Sequence, residues 1–164
     1  MNDLVTARLI LHPLTAAEAR TLVAGGPVAA AHWAPGYPDA GDIRAARGLL
    51  MARAGGDACR HPGVYEIRRR EDGLAIGGVG FHGPGEADGS VTVGYGLVPS
   101  ARGHGYAAEA LRALLASARE QGISRVKGDA DHDNTASQRV MAAAGMRPAG
   151  RDERVVFYET DWEL

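Results

Sequence analysis

Two short segments of the chain carry residue types that could bind a phosphate-bearing ligand and act on it. The first is the turn Arg-Gly-His-Gly-Tyr-Ala at residues 102–107, where Gly103 and Gly105 allow the backbone to approach a ligand closely. Free N–H groups at the start of the helix predicted after it would favour a diphosphate. The second segment starts with Asn134 and Ser137, polar residues that open another predicted helix. Together the segments predict a pocket for a long cofactor that carries a pyrophosphate.

The glycine turn allows other readings, which the rest of the sequence disfavours. Gly103, Gly105 and Ala108 also fit the dinucleotide fingerprint Gly-x-Gly-x-x-Ala. A dinucleotide-binding fold needs several further parallel strands, whereas the residues after Ala108 end in a predicted antiparallel pair. The P-loop pattern is absent from the sequence. A plain tight turn is less favoured, because two glycines, Arg102 and the preceding Pro99 occur together.

The sequence gives no reason to expect a metal site. Asp129, Asp131 and Asp133 are spaced like the start of a calcium loop, but the positions that need Gly and Glu hold other residues. The six histidines are scattered without the spacing of metal ligands. The single cysteine, Cys59, excludes a disulfide within the chain and has no adjacent base, so we do not expect it to be a nucleophile.

Length and charge place the chain in a broad class. Its 164 residues suit one domain, over residues 1–164, with a single core. The formal net charge of −2 offers no electrostatic reason to expect nucleic-acid binding. No run of apolar residues is long enough to span a membrane, and residues 1–3 lack the features of a signal peptide. We expect a cytoplasmic protein.

The hydrophobic pattern and the turn residues predict an α/β (α+β) fold. Antiparallel strands followed by β-α-β crossovers indicate a single mixed, mostly antiparallel central sheet with helices on both faces. Thr15 and Glu18 form a predicted capping box, and Asp42 is expected to cap the second helix after a loop over residues 32–41. The predicted strands cover residues 6–11, 64–69, 74–81, 91–98 and 123–130 and two segments after Met146, and the predicted helices start at Thr15, Asp42, Tyr106 and Thr135.

Several linked motifs resemble the GNAT family of N-acetyltransferases. Residues 102–107 match the family pattern Gln/Arg-x-x-Gly-x-Gly/Ala, and residues 91–99 resemble the fourth strand that precedes it. Residues 134–141, followed by Ala-Gly-Met-Arg at residues 144–147, resemble the later helix and its end. The opening Thr-Ala-Arg-Leu at residues 6–9 resembles the branch related to the ribosomal-protein acetyltransferases RimJ and RimL.

The resemblance implies acetyl-CoA as the donor and direct transfer of its acetyl group in a ternary complex. Backbone amides of the glycine turn would hold the pyrophosphate, strand residues would pair with the pantetheine arm, and Asn134 would contact that arm. Ser137 stands where this branch often has a serine near the sulfur, so it is the expected proton donor to the leaving thiolate. The implied cofactor-binding residues are Leu97, Val98, Arg102, Gly103, His104, Gly105, Tyr106, Ala107, Asn134 and Ser137.

One departure from the family leaves the general base unassigned. Many relatives carry a glutamate in the fourth strand, where this chain has Thr92. At pH 7 a lysine amine costs about 4.6 kcal/mol to deprotonate and an α-amine only about 1 kcal/mol, so the absence of a strong base favours α-amines as acceptors. Stand-ins for the base are His82, Glu86, Asp88, Glu153 and Glu159.

Two functions from different classes follow. The first is an acetyl-CoA-dependent N-acetyltransferase acting on a primary amine, such as a protein N-terminus, an amino-acid-like metabolite or an aminoglycoside. The alternative is a non-catalytic acyl-CoA-binding module that acts as a sensor or partner domain, favoured by Thr92. Trp33, Tyr37 and His82 are candidates for the acceptor pocket. The sequence leaves the acceptor and the oligomeric state open, although exposed strand edges are compatible with a homodimer.

Overall fold

The structure, a computed structural model, describes residues 2–25, 32–54, 63–82 and 86–162. Within these residues the chain forms eight strands in one sheet, and the helices pack against it. The strands are β1 (Leu4–Val5), β2 (Leu9–Pro13), β3 (Val64–Arg69), β4 (Ala75–His82), β5 (Ser90–Leu97), β6 (Arg125–Asp131), β7 (Met146–Arg151) and β8 (Val155–Thr160). The helices are α1 (Ala16–Val23), α2 (Ala40–Ala54), α3 (Tyr106–Glu120) and α4 (Thr135–Ala143).

The sheet has the mixed, mostly antiparallel topology that the sequence predicts. Its strand order is β1-β2-β3-β4-β5-β6-β8-β7, and only the β5–β6 pair is parallel. Helices α1 and α2 pack against each other, and α2 contacts β3, β4 and β5. Helix α3 crosses β4, β5 and β6 and contacts α4. The central sheet is therefore flanked by helices, as expected.

Three element boundaries differ from the prediction. A short strand, β1, precedes the predicted first strand and pairs with it. Strand β2 includes Pro13, which was expected to stop the strand. Pro13 lies opposite Tyr65 at a position where the β2–β3 ladder has no backbone hydrogen bond, so a residue without an N–H fits there. Helix α2 starts at Ala40, and Asp42 was wrongly expected to cap it. Asp39 accepts a hydrogen bond from the Asp42 N–H at 2.9 Å and is the cap.

Helix α3, which follows the glycine turn, packs an apolar face against the sheet. Ala110, Leu111, Leu114, Leu115 and Ala118 are buried at the spacing of one helix face. This face is anchored on the sheet, so the N-terminus of α3 has a fixed position at the end of β5. The capping box of α1, between Thr15 and Glu18, is also confirmed.

Strands β5 and β6 separate after three pairs of residues. Ser90, Val91 and Thr92 pair with Arg125, Val126 and Lys127, and no later residue of β5 pairs with β6 in the described part of the chain. β6 continues along β8 as far as Asp131. The sheet therefore opens beside the second half of β5, between the start of α3 and the start of α4.

No helix in the described ranges is both long and apolar enough to cross a membrane.

Candidate active site

The glycine turn presents unused backbone N–H groups at the start of α3. Gly103 and Gly105 have φ values of +81° and +80°, a conformation that other residues rarely adopt. Gly105 is the N-cap, and it has no side chain to bond the first turn of the helix. Within the described residues, no hydrogen bond uses the backbone N–H groups of residues 103–108. These donors and the helix dipole together form an anion-binding arrangement.

Arg8, the residue before β2, contacts the glycine turn. Its Nη1 donates to the carbonyl oxygen of His104 at 2.8 Å, and its guanidinium lies 4.5 Å from the centre of the Tyr106 ring. Arg8 Nε also pairs with Glu109 Oε1 at 2.8 Å, and Thr6 donates to Glu109 Oε2. Burial alone would raise the pKa of Glu109, yet the hydrogen bonds from Thr6 and Arg8 hold it below its usual range. The Arg8–Glu109 pair thus ties β2 to the first turn of α3.

The second half of β5 leaves one backbone edge open. Val98 N–H donates to the carbonyl oxygen of Ile76, which fixes Gly94 and Gly96 as the residues whose backbone groups face β4. Tyr95 and Leu97 therefore direct their backbone groups toward the opening between β5 and β6. Of the two strand residues expected at the cofactor, Leu97 lies on this edge, whereas the amide of Val98 is already bonded to β4. Arg102 Nε donates to the Leu97 carbonyl at 3.2 Å.

Ser137 is hydrogen-bonded to a tyrosine that the sequence reasoning missed. The hydroxyls of Ser137 and Tyr95 lie 2.7 Å apart, and the Tyr95 hydroxyl also donates to the Ser137 carbonyl at 3.0 Å. Asn134 is the N-cap of α4, and its Oδ1 accepts from the Ser137 N–H at 3.1 Å. Burial raises the pKa of Tyr95, so this phenol stays neutral at pH 7. A pair of neutral hydroxyls therefore links β5 to α4 across the opening in the sheet.

A cavity of about 480 Å³ lies between the start of α2 and strands β4 and β5. Four glycines of β4 and β5 contribute no side chains to its lining, and Tyr95, which lies between two of them, is also a lining residue. Two of the expected acceptor residues, Tyr37 and His82, line it. Trp33 packs edge-on against Tyr37, with ring centres 5.8 Å apart, and is not among the lining residues. The glycines are Gly78, Gly80, Gly94 and Gly96.

Two carboxyl groups at the start of α2 line this cavity. Asp39 and Asp42 cap each other, because each carboxylate accepts a hydrogen bond from the backbone N–H of the other. The Asp42 Oδ1 lies over Gly78, where a Cβ would collide with it. Burial raises the pKa of Asp42 to about 7; the negative charges of Asp39 and Glu66 act in the same direction, and the hydrogen bond from Asp39 N–H opposes it.

Most of the expected stand-ins for the base lie elsewhere. Glu86 pairs with Lys127 at 2.8 Å, and Asp88 bonds Ser90 at the start of β5. Glu153 is exposed in the turn between β7 and β8, and Glu159 on β8 pairs with Arg125. None of these four carboxylates lines the cavity.

His82 differs from them because its ring lies over Gly94 on the cavity wall, and Thr92 is its partner across the β4–β5 ladder. Among the described residues no group of His, Cys, Asp and Glu could hold a metal ion. Cys59, with the rest of residues 55–62, lies outside the described residues.

The residues that sequence reasoning missed left only weak signals. Arg8 stands in the segment that resembles the RimJ and RimL branch, yet a sequence motif does not say what its arginine contacts. Tyr95 lies in the segment that resembles the fourth strand. Because successive strand residues point to opposite faces, its side chain could have been placed on the same face as the start of the helix that begins after Asn134. The spacing of Asp39 and Asp42 marks a reciprocal cap, but the cavity beside it forms only when α2 packs on the sheet.

Comparison with known proteins agrees with this architecture. A family model described as the acetyltransferase (GNAT) domain matches residues 8–147. The uncharacterised N-acetyltransferase YjdG of Bacillus subtilis is 32% identical over 81 residues, and the match covers 48% of this chain and about half (48%) of that protein.

Solved structures show the same fold. The ribosomal-protein-S5-alanine acetyltransferase of Vibrio fischeri superposes with a TM-score of 0.73 at 15% identity and full coverage of both chains. RimL, a ribosomal L7/L12 α-N-protein acetyltransferase in complex with coenzyme A, superposes with a TM-score of 0.68 at 18% identity, over 96% of this chain and 97% of that one. Because the family model covers most of the sequence, the chain belongs to the GNAT family of acetyltransferases.

Proposed function

We propose that this protein transfers the acetyl group of acetyl-CoA to a primary amine by direct transfer in a ternary complex. The observation that carries the proposal is the set of unused N–H groups at residues 103–108, at the start of α3 and next to the open edge of β5. A diphosphate supplies the negative charge that such a group of donors favours. Relatives that bind coenzyme A share this fold, which supports the donor.

The donor would extend from the glycine turn along the open edge of β5. Gly103, Gly105 and the first residues of α3 would bind the pyrophosphate through their backbone amides. The amide groups of pantetheine could then pair with the backbone of Leu97 and Tyr95, as an added strand would. This places the thioester beside Tyr95, where the hydroxyl pair with Ser137 lies.

Ser137 and Tyr95 are suited to protonate the leaving thiolate together. When the C–S bond breaks, the Ser137 hydroxyl gives its proton to the sulfur, and the Tyr95 hydroxyl at 2.7 Å can replace that proton. The raised pKa of Tyr95 keeps its proton available across the neutral range. The hydrogen bond from Ser137 N–H to Asn134 fixes the serine at the start of α4. Asn134 therefore contributes by positioning Ser137 as well as by lying beside the cofactor arm.

The acceptor would enter the cavity on the α2 side of β4 and β5. Tyr37 and His82 line this cavity, and Trp33 supports Tyr37 from behind. The resemblance to the RimJ and RimL branch, and a relative described as an α-N-protein acetyltransferase, support an α-amine on a protein N-terminus or on a small molecule. An α-amine is also the acceptor that costs least to deprotonate at neutral pH, about 1 kcal/mol.

A thiol-release assay tests the function directly. Purified protein with acetyl-CoA is offered peptides with free α-amines, lysine side-chain amines and aminoglycosides, and thiol release is measured for each. We expect release above the background rate with at least one α-amine. Binding of coenzyme A in a calorimeter without release for any amine would instead indicate an acyl-CoA-binding module. No binding at millimolar coenzyme A would contradict both functions.

A further inference from the structure

The proposed function leaves one proton without an acceptor. A primary amine is an ammonium ion below its pKa, and it must lose a proton before its nitrogen can attack a thioester. Thr92, at the position where the family resemblance implies a glutamate, has no carboxylate to accept that proton. Four of the five stand-ins expected from the sequence lie away from the cavity, where they bond or ion-pair with other groups or are exposed in a turn.

Asp42 is placed to fill this gap from a different element. It stands at the start of α2, and its Oδ1 points onto the face of Gly78 that lines the cavity. Gly78 pairs with Gly96 on β5, one residue from Tyr95, and a Cβ at Gly96 would lie 3.8 Å from Asp39. Because neither glycine has a side chain, only backbone separates the carboxyl pair from the strand that would hold the thioester.

The two oxygens of Asp42 have different environments. Oδ2 accepts from the Asp39 N–H at 3.0 Å, which anchors the side chain. The Asp39 side chain is also hydrogen-bonded to the Asp42 carboxyl. Among the described residues no backbone N–H bonds Oδ1, which lies against Gly78 on the cavity wall, where it can accept a proton from a molecule in the cavity. The anchoring bond also fixes the direction in which Oδ1 points.

We propose that Asp42 is the general base that deprotonates the acceptor amine; this assignment rests on the proposed function. The Asp42 carboxylate takes one proton from the ammonium group, and the free amine then attacks the thioester carbonyl carbon, forming the C–N bond. As the C–S bond breaks, the nitrogen loses its second proton to solvent, and the thiolate receives a proton from Ser137. Solvent restores the Ser137 proton through Tyr95, and Asp42 gives its proton to solvent. The products are the acetylated amine and the free thiol, and one net proton leaves for solvent.

The charges around the cavity are compatible with this role. Asp39 in the preceding turn and Glu66 on β3 face Asp42 with negative charge, and both favour a cationic acceptor. Tyr37 stays neutral because burial and the Glu66 carboxylate raise its pKa far above its usual range. Arg44 on α2 and His82 on β4 also line the cavity. A pKa of about 7 for Asp42 leaves about half of it ionised at neutral pH and close to the best value for a base there.

The test compares the rate of Asp42→Asn with that of the wild type across pH, with a peptide bearing an N-terminal alanine as acceptor. The asparagine oxygen can still accept from Asp39 N–H, so the cap of α2 is retained. We expect a deficit of about 100-fold at pH 7. The deficit should shrink at pH 9, because an α-amine with a pKa near 7.8 is mostly neutral in bulk water there. Asp161→Asn, which removes an exposed carboxylate paired with Arg147, should behave as wild type.

The outcomes separate this assignment from the proposed function. A deficit of the same size at every pH means that Asp42 has a structural role, and it overturns the assignment while the function stands. A pH-dependent deficit found in His82→Gln and not in Asp42→Asn also overturns it. If the wild-type protein releases no thiol with any amine, the function fails and the assignment fails with it.

Two further readouts need no turnover. In protein labelled with ¹³C at the aspartate carboxyls, one signal should titrate near pH 7 and be missing from Asp42→Asn. Because the folded-state pKa lies above the unfolded value of 3.8, Asp42 stabilises the fold most below pH 3.8 and loses that contribution as pH rises through about 7. Asp42→Asn should therefore gain melting temperature relative to wild type between pH 4 and pH 8. Absence of a carboxyl that titrates above pH 6 would overturn the assignment.

Discussion

The glycine turn offers backbone groups to a ligand, whereas the cavity between α2 and strands β4 and β5 offers side chains. At the turn, the useful groups are backbone N–H donors, and glycine is valuable because it brings no side chain. In the cavity, the useful groups are side chains: two carboxyls on α2, a phenol and an imidazole, set against strands lined with glycine. The proposed donor site is therefore built from backbone groups, and the proposed acceptor site is built from side chains.

This difference indicates which changes each side can tolerate. A diphosphate site made of backbone donors depends on chain conformation, so it should be insensitive to side-chain chemistry and sensitive to anything that changes φ. An acceptor site made of side chains should respond to single isosteric changes with little effect on donor binding. Substitutions that affect only one of the two sides test the division.

The largest effect should come from Gly103→Val at the turn. Gly103 has a φ of +81°, and a side chain there would force a different backbone conformation on the donors. Loss of two charge-assisted hydrogen bonds, at about 2 kcal/mol each, predicts a fall in coenzyme A affinity of about 1,000-fold, measured by calorimetry.

Gly122→Val is a matched control for that change. Gly122 follows α3 at its other end, has a φ of +84° and, like Gly103, has nothing within 4 Å of the added Cβ. Both variants should lose about 1–2 kcal/mol of unfolding free energy. Equal losses of coenzyme A affinity in both would show that the turn has no special role.

The hydroxyl pair should show the next largest effect, and on rate instead of binding. Ser137→Ala should lower kcat by about 100-fold, because the thiolate then leaves without a positioned proton, and the KM for acetyl-CoA should change little. Tyr95→Phe should lower kcat by about tenfold. The double variant should be little slower than Ser137→Ala alone, since the two hydroxyls act in series. Ser117→Ala on α3 serves as the control, and a Ser137→Ala enzyme with unchanged kcat would remove the serine from the mechanism.

The smallest effect should come from Arg8→Ala, which tests whether the turn needs support from outside. Arg8 bonds the His104 carbonyl and Glu109, but nearly half (45%) of its side chain is exposed, so we expect a loss of about 1 kcal/mol and a fall of about fivefold in coenzyme A affinity. Arg20→Ala, an exposed change on α1, should have no effect. An unchanged affinity in Arg8→Ala would mean that the turn keeps its shape without this contact.

The donor side was predictable from sequence because its parts are adjacent along the chain. A glycine turn, the helix after it and the strand before it lie within residues 91–120, so their geometry follows from local rules. The mixed, mostly antiparallel character of the sheet could be anticipated for the same reason, because neighbouring strands along the chain follow one another through turns or β-α-β crossovers.

On the acceptor side, the sequence pointed to Tyr37 and His82, which line the cavity, but not to the role of Asp42, whose partners meet only in the folded chain. Asp42 and Gly78 are far apart in sequence, and Asp42 was read as a helix cap until the packing of α2 on β4 placed its carboxyl over the glycine. Tyr95 and Ser137 likewise come together only because β5 and β6 separate and α4 starts beside the opening. Local patterns contain no information about such distant partners.

A crystal structure of the protein with coenzyme A is the sharpest test of the proposed diphosphate site. We expect the diphosphate oxygens to lie about 2.7–3.2 Å from backbone nitrogens within residues 103–108, with the pantetheine arm along the open edge of β5. A diphosphate held only by side chains, or seated away from the start of α3, would contradict the proposed site.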